Sequence, residues 1–229
     1  MDVIIKVSGL KKYYKKGKKL IKAIDGVDLE IERGKFAVVA GTGGAGKTTL
    51  LKILSGLETP TEGTVRIGNT DPGKLNEEEA AVFRRRHLGF IFQDCNLIPV
   101  LSVWENIVFP LALDRRVWDE AYTMEVIRLL GLEKILDACP DSLTGSQRRI
   151  VAIARALVSR PSVILADEPA QDLDPRTGDA VIGLLKMTGR EFHQTILLTA
   201  SDRKAAHMAD CIFAMDKGRL LSERGRCLC

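Results

Sequence analysis

The chain lacks most of the features that would place it in a specialised class. No stretch approaches the ~18 consecutive apolar residues of a membrane-crossing helix, and the longest uncharged runs, 36–46 and 95–104, stop well short of that. Asp2 and Lys6 interrupt the start, so no secretory leader is expected. Neither charge sign dominates. The 34 basic and 30 acidic residues leave a net charge of +4, too mild to argue for a nucleic-acid partner. The five cysteines (Cys95, Cys139, Cys211, Cys227 and Cys229) form no zinc-type pair. An odd count without a framework reads as reduced thiols in the cytosol. Internal repeats and low-complexity tracts are also missing. What remains is an ordinary globular composition, 45% apolar and 28% charged over 229 residues, enough for one large domain or one domain with an inserted subdomain.

Against that plain background, one stretch is specific. Gly41-Thr42-Gly43-Gly44-Ala45-Gly46-Lys47-Thr48 fits G-x-x-x-x-G-K-[ST]. An apolar run (residues 36–40) precedes it, and Leu50, Leu51, Ile53 and Leu54 follow at helical spacing, which predicts strand, loop and helix. Glycines let the backbone curl so that its N–H groups converge on an anion, and the helix start adds unpaired N–H groups. Lys47 suits the β- and γ-phosphates of a nucleotide, and the Thr48 hydroxyl suits Mg²⁺.

A second element is Asp167-Glu168, placed directly after the continuous apolar run of residues 163–166. Carboxylates at the carboxyl end of a buried strand lie where α/β sheets bind ligands. Asp167 there can order a metal shell and Glu168 can polarise a water; the plainer reading is a carboxylate pair that stabilises a helix start. A third element is Leu143-Thr144-Gly145-Ser146-Gln147, which opens an amphipathic helix with Ile150, Ile153, Ala154 and Leu157 at i, i+3, i+4, i+7. It reads either as a second anion site, serving a nucleotide held by another copy, or as a simple Thr N-cap.

Between these elements the chain predicts short strands at 3–7, at 21–31 with a turn at Gly26, at 64–67, 89–92 and 195–199, and a last pair at 211–215 and 219–221. The lysine-rich segment 11–19 reads as a solvated hairpin tip. Residues 76–86 read as a charged surface helix whose Arg84-Arg85-Arg86 run is a solvated face, and a short helix is expected near 203–209. Residues 101–113 and 119–130 read as helices punctuated by Pro99, Pro110 and Pro140. Alternating helices and buried strands point to a parallel-rich α/β core.

Taken together and in order, these motifs resemble the nucleotide-binding subunits of ABC transporters, closest to the macrolide-export, lipoprotein-release and FtsE-type branch. The resemblance spans residues 10–221. It rests on the loop at 41–49 (Walker A), Phe90-Ile91-Phe92-Gln93 (Q-loop), the signature segment at 143–157 and Leu165-Ala166-Asp167-Glu168-Pro169 (Walker B). It implies a P-loop NTPase (RecA-like) core with an N-terminal antiparallel β subdomain, formed by 1–93 and 158–229, and an inserted helical subdomain at 94–157 that contains the signature. It further implies that Tyr14 stacks on adenine and that Gly41, Thr42, Gly43, Gly44, Ala45, Gly46, Lys47, Thr48 and Thr49 cradle the phosphates of ATP. Thr48, Gln93 and Asp167 would hold Mg²⁺, and Glu168 would be the catalytic carboxylate. Thr144, Gly145, Ser146 and Gln147 would act in trans across a head-to-tail dimer, and Asp174 would lie at the dimer seam. The implied partners are a second such subunit and an integral-membrane permease docking on the helical subdomain. The implied place is the cytoplasmic, inner face of the cell membrane.

Three departures from the family pattern bear on turnover. Ser201 stands where the family carries its switch histidine. Ser146 replaces the second glycine of Leu-Ser-Gly-Gly-Gln, and Ile150 replaces a frequent arginine. These imply intact ATP binding and slowed hydrolysis. A nucleotide-dependent switch without transport, of the FtsE kind, is the alternative. A nucleotide kinase fits the loop alone but not residues 143–147 or Asp167-Glu168.

Overall fold

A computed structural model describes residues 2–114, 118–201 and 207–221. Its centre is a six-stranded sheet built from β5 (Leu88–Ile91), β6 (Val163–Ala166), β7 (Thr195–Ala200), β3 (Phe36–Ala40), β8 (Cys211–Asp216) and β9 (Arg219–Leu220), in that spatial order. All neighbours are parallel except the final β8–β9 hairpin. A second sheet, β2 (Lys19–Glu32), β1 (Val3–Lys16) and β4 (Glu62–Ile67), is antiparallel. The helices are α1 (Lys47–Leu54), α2 (Glu77–His87), α3 (Val103–Asp114), α4 (Glu120–Leu129), α5 (Gly145–Leu157) and α6 (Pro175–Glu191).

The period-2 alternation of the central strands feeds two cores. Val38, Ala40, Ile164, Ala166, Ile196 and Leu198 face one side and join residues of α3, α4, α5 and α6. Ala37, Val39, Val163, Leu165 and Leu197 face the other, where they join α1 and the antiparallel sheet. A sheet covered on both faces needs unbroken apolar strands, which is why these segments read as continuous runs.

Several expectations require correction. The first strand does not stop at Val7 but continues to Lys16, pairing back across a turn at Gly17-Lys18, so the lysine segment is a hairpin tip as expected. Gly26 is not a turn. The ladder slips between Leu10↔Val27 and Lys11↔Asp25, and Gly26, at φ 85°, is the extra residue of a bulge within one long strand. Pro110 does not punctuate α3 but lies inside it, at the cost of one helical hydrogen bond. The arginine run is not simply solvated: Arg85 and Arg86 each place Nε 2.9 Å from Asp114 Oδ1, and Arg84 donates to the Gly56 carbonyl at 3.1 Å. Cys95 and Cys139 are free thiols, but Cys211 is disulfide-bonded, against the expectation of reduced thiols throughout. The helix expected near 203–209 falls largely outside the described residues. The longest helix, α6, was not anticipated, although Asp174 at its N-cap and Pro175 at its first position are its start signals.

Candidate nucleotide site

Four adjacent strands deliver the motifs to one edge. β5 ends just before Gln93, β6 runs into Asp167 and Glu168, β7 ends at Ala200 beside Ser201, and β3 opens into the glycine loop. This is the carboxyl edge of the parallel sheet, where the strands' loops converge.

Within the loop, the glycines divide into two kinds. A Cβ at Gly41 would lie 2.2 Å from the Met215 carbonyl oxygen, and one at Gly46, which has φ 106°, would lie 2.2 Å from the Ala23 carbonyl oxygen. These two are demanded by close backbone approach. Gly43 and Gly44 face open space and are exposed with Thr42. Packing thus closes the loop's base and leaves its crest free, as an anion cradle requires. Lys47 is only 3% exposed, and its ammonium donates to the carbonyls of Gly41 (2.6 Å) and Thr42 (3.0 Å).

The carboxylates meet this loop directly. Thr48 Oγ1 donates to Asp167 Oδ1 at 3.2 Å, and Lys47 Nζ lies 3.1 Å from Glu168 Oε1. Ser201 Oγ donates to the other oxygen, Glu168 Oε2. Lys47, Glu168 and Ser201 therefore form one chain of contacts, and both oxygens of Glu168 are engaged. Glu168 also has φ 44°, a left-handed backbone that a non-glycine residue adopts only when its surroundings enforce it. What enforces it includes Thr199, which the sequence alone shows only as the last residue of a buried strand. Thr199 Oγ1 donates to Asp167 Oδ1 at 2.8 Å and accepts from the Glu168 amide at 2.9 Å. The available signal was a hydroxyl near the end of a strand expected to be wholly apolar.

Tyr14 lies on β1 near the start of α1. Its hydroxyl bonds Glu58, its side chain also contacts Thr49, and the Lys12 ammonium lies 5.1 Å from its ring centroid. Burial, then the Glu58 bond, push the phenol's pKa up. Gln93 is half-buried after β5. Thr144 caps α5: the Gln147 amide donates to its hydroxyl (3.2 Å), the Gln147 side chain accepts from its amide (2.9 Å), and Ser146 Oγ lies 3.0 Å from Thr144 Oγ1. The polar contacts of this segment run within itself. Asp174 caps α6 through the Thr177 amide at 3.1 Å, and its bonds to Thr177 hold its carboxyl below the ordinary range.

The model of the ABC transporter family matches residues 24–171 of the chain, well over half its length. The chain belongs to the ABC transporter family. It is 36% identical over 230 residues to a macrolide export ATP-binding/permease protein, MacB 1, of Aeromonas hydrophila. That alignment covers 98% of this chain but only 35% of MacB 1, so the chain spans about a third of that relative. It is 38% identical over 213 residues to the lipoprotein-releasing system ATP-binding protein LolD of Psychrobacter arcticus, covering 92% of this chain and 94% of LolD. The fold matches the ATP-binding cassette MJ0796, solved as a dimer in a post-hydrolysis state bound to ADP and Pi, with a TM-score of 0.87 and 35% identity over 97% of this chain and 99% of that one. This ABC protein is thus an α/β ATP-binding cassette. No helix among the described residues is long and apolar enough to cross a membrane.

The residues present fit Mg-ATP. An open glycine crest lies beside a buried ammonium. The Thr48 hydroxyl and Asp167 carboxylate, 3.2 Å apart, would supply hard oxygen ligands of the kind Mg²⁺ takes together with phosphates.

Proposed function

We propose that this chain binds and hydrolyses ATP at a head-to-tail dimer interface and drives a separate membrane permease, with hydrolysis slower than the family norm. The observation that carries the second clause is the Ser201 hydroxyl bonded to Glu168 Oε2, at the position where the family pattern has a histidine.

In this reading the N–H groups of residues 41–48 and Lys47 bind the β- and γ-phosphates, with Tyr14 beside the base. Thr48, Asp167 and Gln93 would hold Mg²⁺, which would supply charge neutralisation at the phosphate oxygens. Phosphate entering the cradle competes for Lys47 and frees Glu168 Oε1, which then accepts a proton from the attacking water. Ser201 keeps its bond to Oε2. That hydroxyl occupies one of the two carboxylate oxygens, so Oε1 alone is open to the attacking water. Ser201 is also much shorter than histidine and reaches the γ-phosphate through water at best. Thr144, Gly145, Ser146 and Gln147 act on the nucleotide of the second subunit, and Asp174 stands near the seam. Residues 94–157 act as the helical subdomain. The groove of about 330 Å³ floored by Phe90, Phe92 and Phe109 and flanked by Arg84, Arg85 and Arg155 suits a permease segment with apolar anchors. The chain then works at the inner face of the cell membrane.

The same Ser201 contact favours a second reading, a slow nucleotide switch that signals to a membrane partner without transport. The test is steady-state turnover of the purified chain, alone and with its permease. Parental turnover should be slow. Ser201→His should raise it about tenfold if the base is limiting, and Glu168→Gln should abolish it while trapping an ATP-dependent dimer. Fast parental turnover, or no gain in Ser201→His, would sink the slowed-hydrolysis reading.

A further inference from the structure

The site just described accounts for Gln93, the 171–174 segment and the start of α5, but not for what joins them. Arg149 does so physically. It lies on α5 one turn after Thr144 and Gly145, is 6% exposed, and extends its guanidinium between two loops. Nη1 donates to the Gln93 carbonyl, with the Phe92 carbonyl at 3.5 Å, and Nη2 donates to the Gln171 carbonyl at 3.1 Å. Its Nε has no partner among the described residues. Further along the same helix, Arg155 donates to the carbonyls of Asn96 (2.7 Å) and Cys95 (2.5 Å), two residues held at positive φ. Every one of these bonds ends on a neutral backbone carbonyl.

A buried guanidinium without a carboxylate is a poor way to gain stability. Its desolvation is large, carbonyl dipoles repay it only in part, and an apolar residue of similar volume would pack at lower cost. What the fork does supply is geometry, because its planar donors fix two acceptors relative to each other.

We propose that Arg149 is a positioning residue that makes the 92–96 segment, the 171–174 segment and the signature helix move as one body, with Arg155 as a second tie to 92–96. Any shift of Gln93 on nucleotide binding is then passed to residues 144–147 at the start of α5 without slack. The consequence for nucleotide rests on the function proposed above; the mechanical coupling does not.

Hydrogen–deuterium exchange on the full-length, nucleotide-free chain tests the coupling directly. Arg149→Gln should speed exchange in both 92–96 and 170–173 by about tenfold while 41–48 stays within about twofold of the parent. Arg149→Lys keeps the charge but not the fork, so it should recover protection in at most one of the two segments. Unchanged exchange in both segments overturns the proposal. So does uniform acceleration that includes 41–48 in both variants, which is the mark of a merely structural residue. In a Glu168→Gln background, Arg149→Gln should weaken ATP-driven dimerisation about tenfold with ATP affinity of the monomer held within about twofold. Equal loss of both overturns the coupling role. If Glu168→Gln alone never dimerises, the proposed function fails while the exchange measurement still decides the clamp.

Discussion

The chain contains two helix starts of similar composition, and they are built in opposite ways. At residues 41–48 the glycines, hydroxyl and cation are locked by tertiary contacts. Gly41 and Gly46 admit no Cβ because backbone from β8 and β2 presses on them, and Lys47 is buried against Glu168. At residues 144–147 nothing presses. Thr144, Gly145 and Ser146 are bonded only locally, and a Cβ on Gly145 would meet nothing nearer than a Leu173 methyl at 3.9 Å. The first is shaped by packing contacts from its own chain. The second has a glycine that packing within this chain does not require.

That contrast can be broken most sharply at its glycines. Gly46→Ala forces a side chain into a backbone carbonyl at positive φ and should cost at least about 3 kcal/mol, read as a large fall in thermal midpoint. Gly145→Ala should change stability by no more than about 0.5 kcal/mol, since alanine favours a helix start that has room for it, yet it should impair ATP-dependent dimerisation and turnover. Equal destabilisation by the two would erase the distinction. Next in size, Thr199→Val removes a buried hydroxyl that satisfies both Asp167 and the Glu168 amide, and should cost about 1–3 kcal/mol in denaturant titrations. It should also weaken Mg²⁺-dependent nucleotide binding, because Asp167 loses the bond that orients it. The smallest effect concerns Asp174. Its folded carboxyl is held below the ordinary aspartate range by its bonds to Thr177. The stability it adds is therefore present above about pH 4 and is lost as pH falls through its folded value. Asp174→Asn should flatten the acid limb of the stability profile slightly and leave the curve near pH 7 almost unchanged.

Much of this arrangement is legible in the chain itself, because its strongest signals are local. The glycine loop, the apolar strand before Asp167 and the helical period after Gln147 each declare an element and its chemistry within about ten residues. Where reading failed, the deciding contact was distant. Thr199 looks like one more strand residue until β7 is placed beside β6, 32 positions away from Asp167. Gly26 looks like a turn until its register against β1 shows it to be a bulge. The arginines of α2 look solvated until α3 brings Asp114 to them. The 17 residues of α6 carry start signals at Asp174 and Pro175 but no chemical motif of their own.

Sequence alone determined that this chain is a P-loop α/β protein, since backbone curvature, helix starts and buried strands are dictated by residue type over short spans, and the order of its motifs resembles the ABC family. Only the tertiary structure decided how Glu168 is held. Lys47, Ser201 and Thr199 reach it from β7 and the β3 loop, and the resulting balance of hydrogen bonds on one carboxylate depends on strand order and register, which no local pattern encodes.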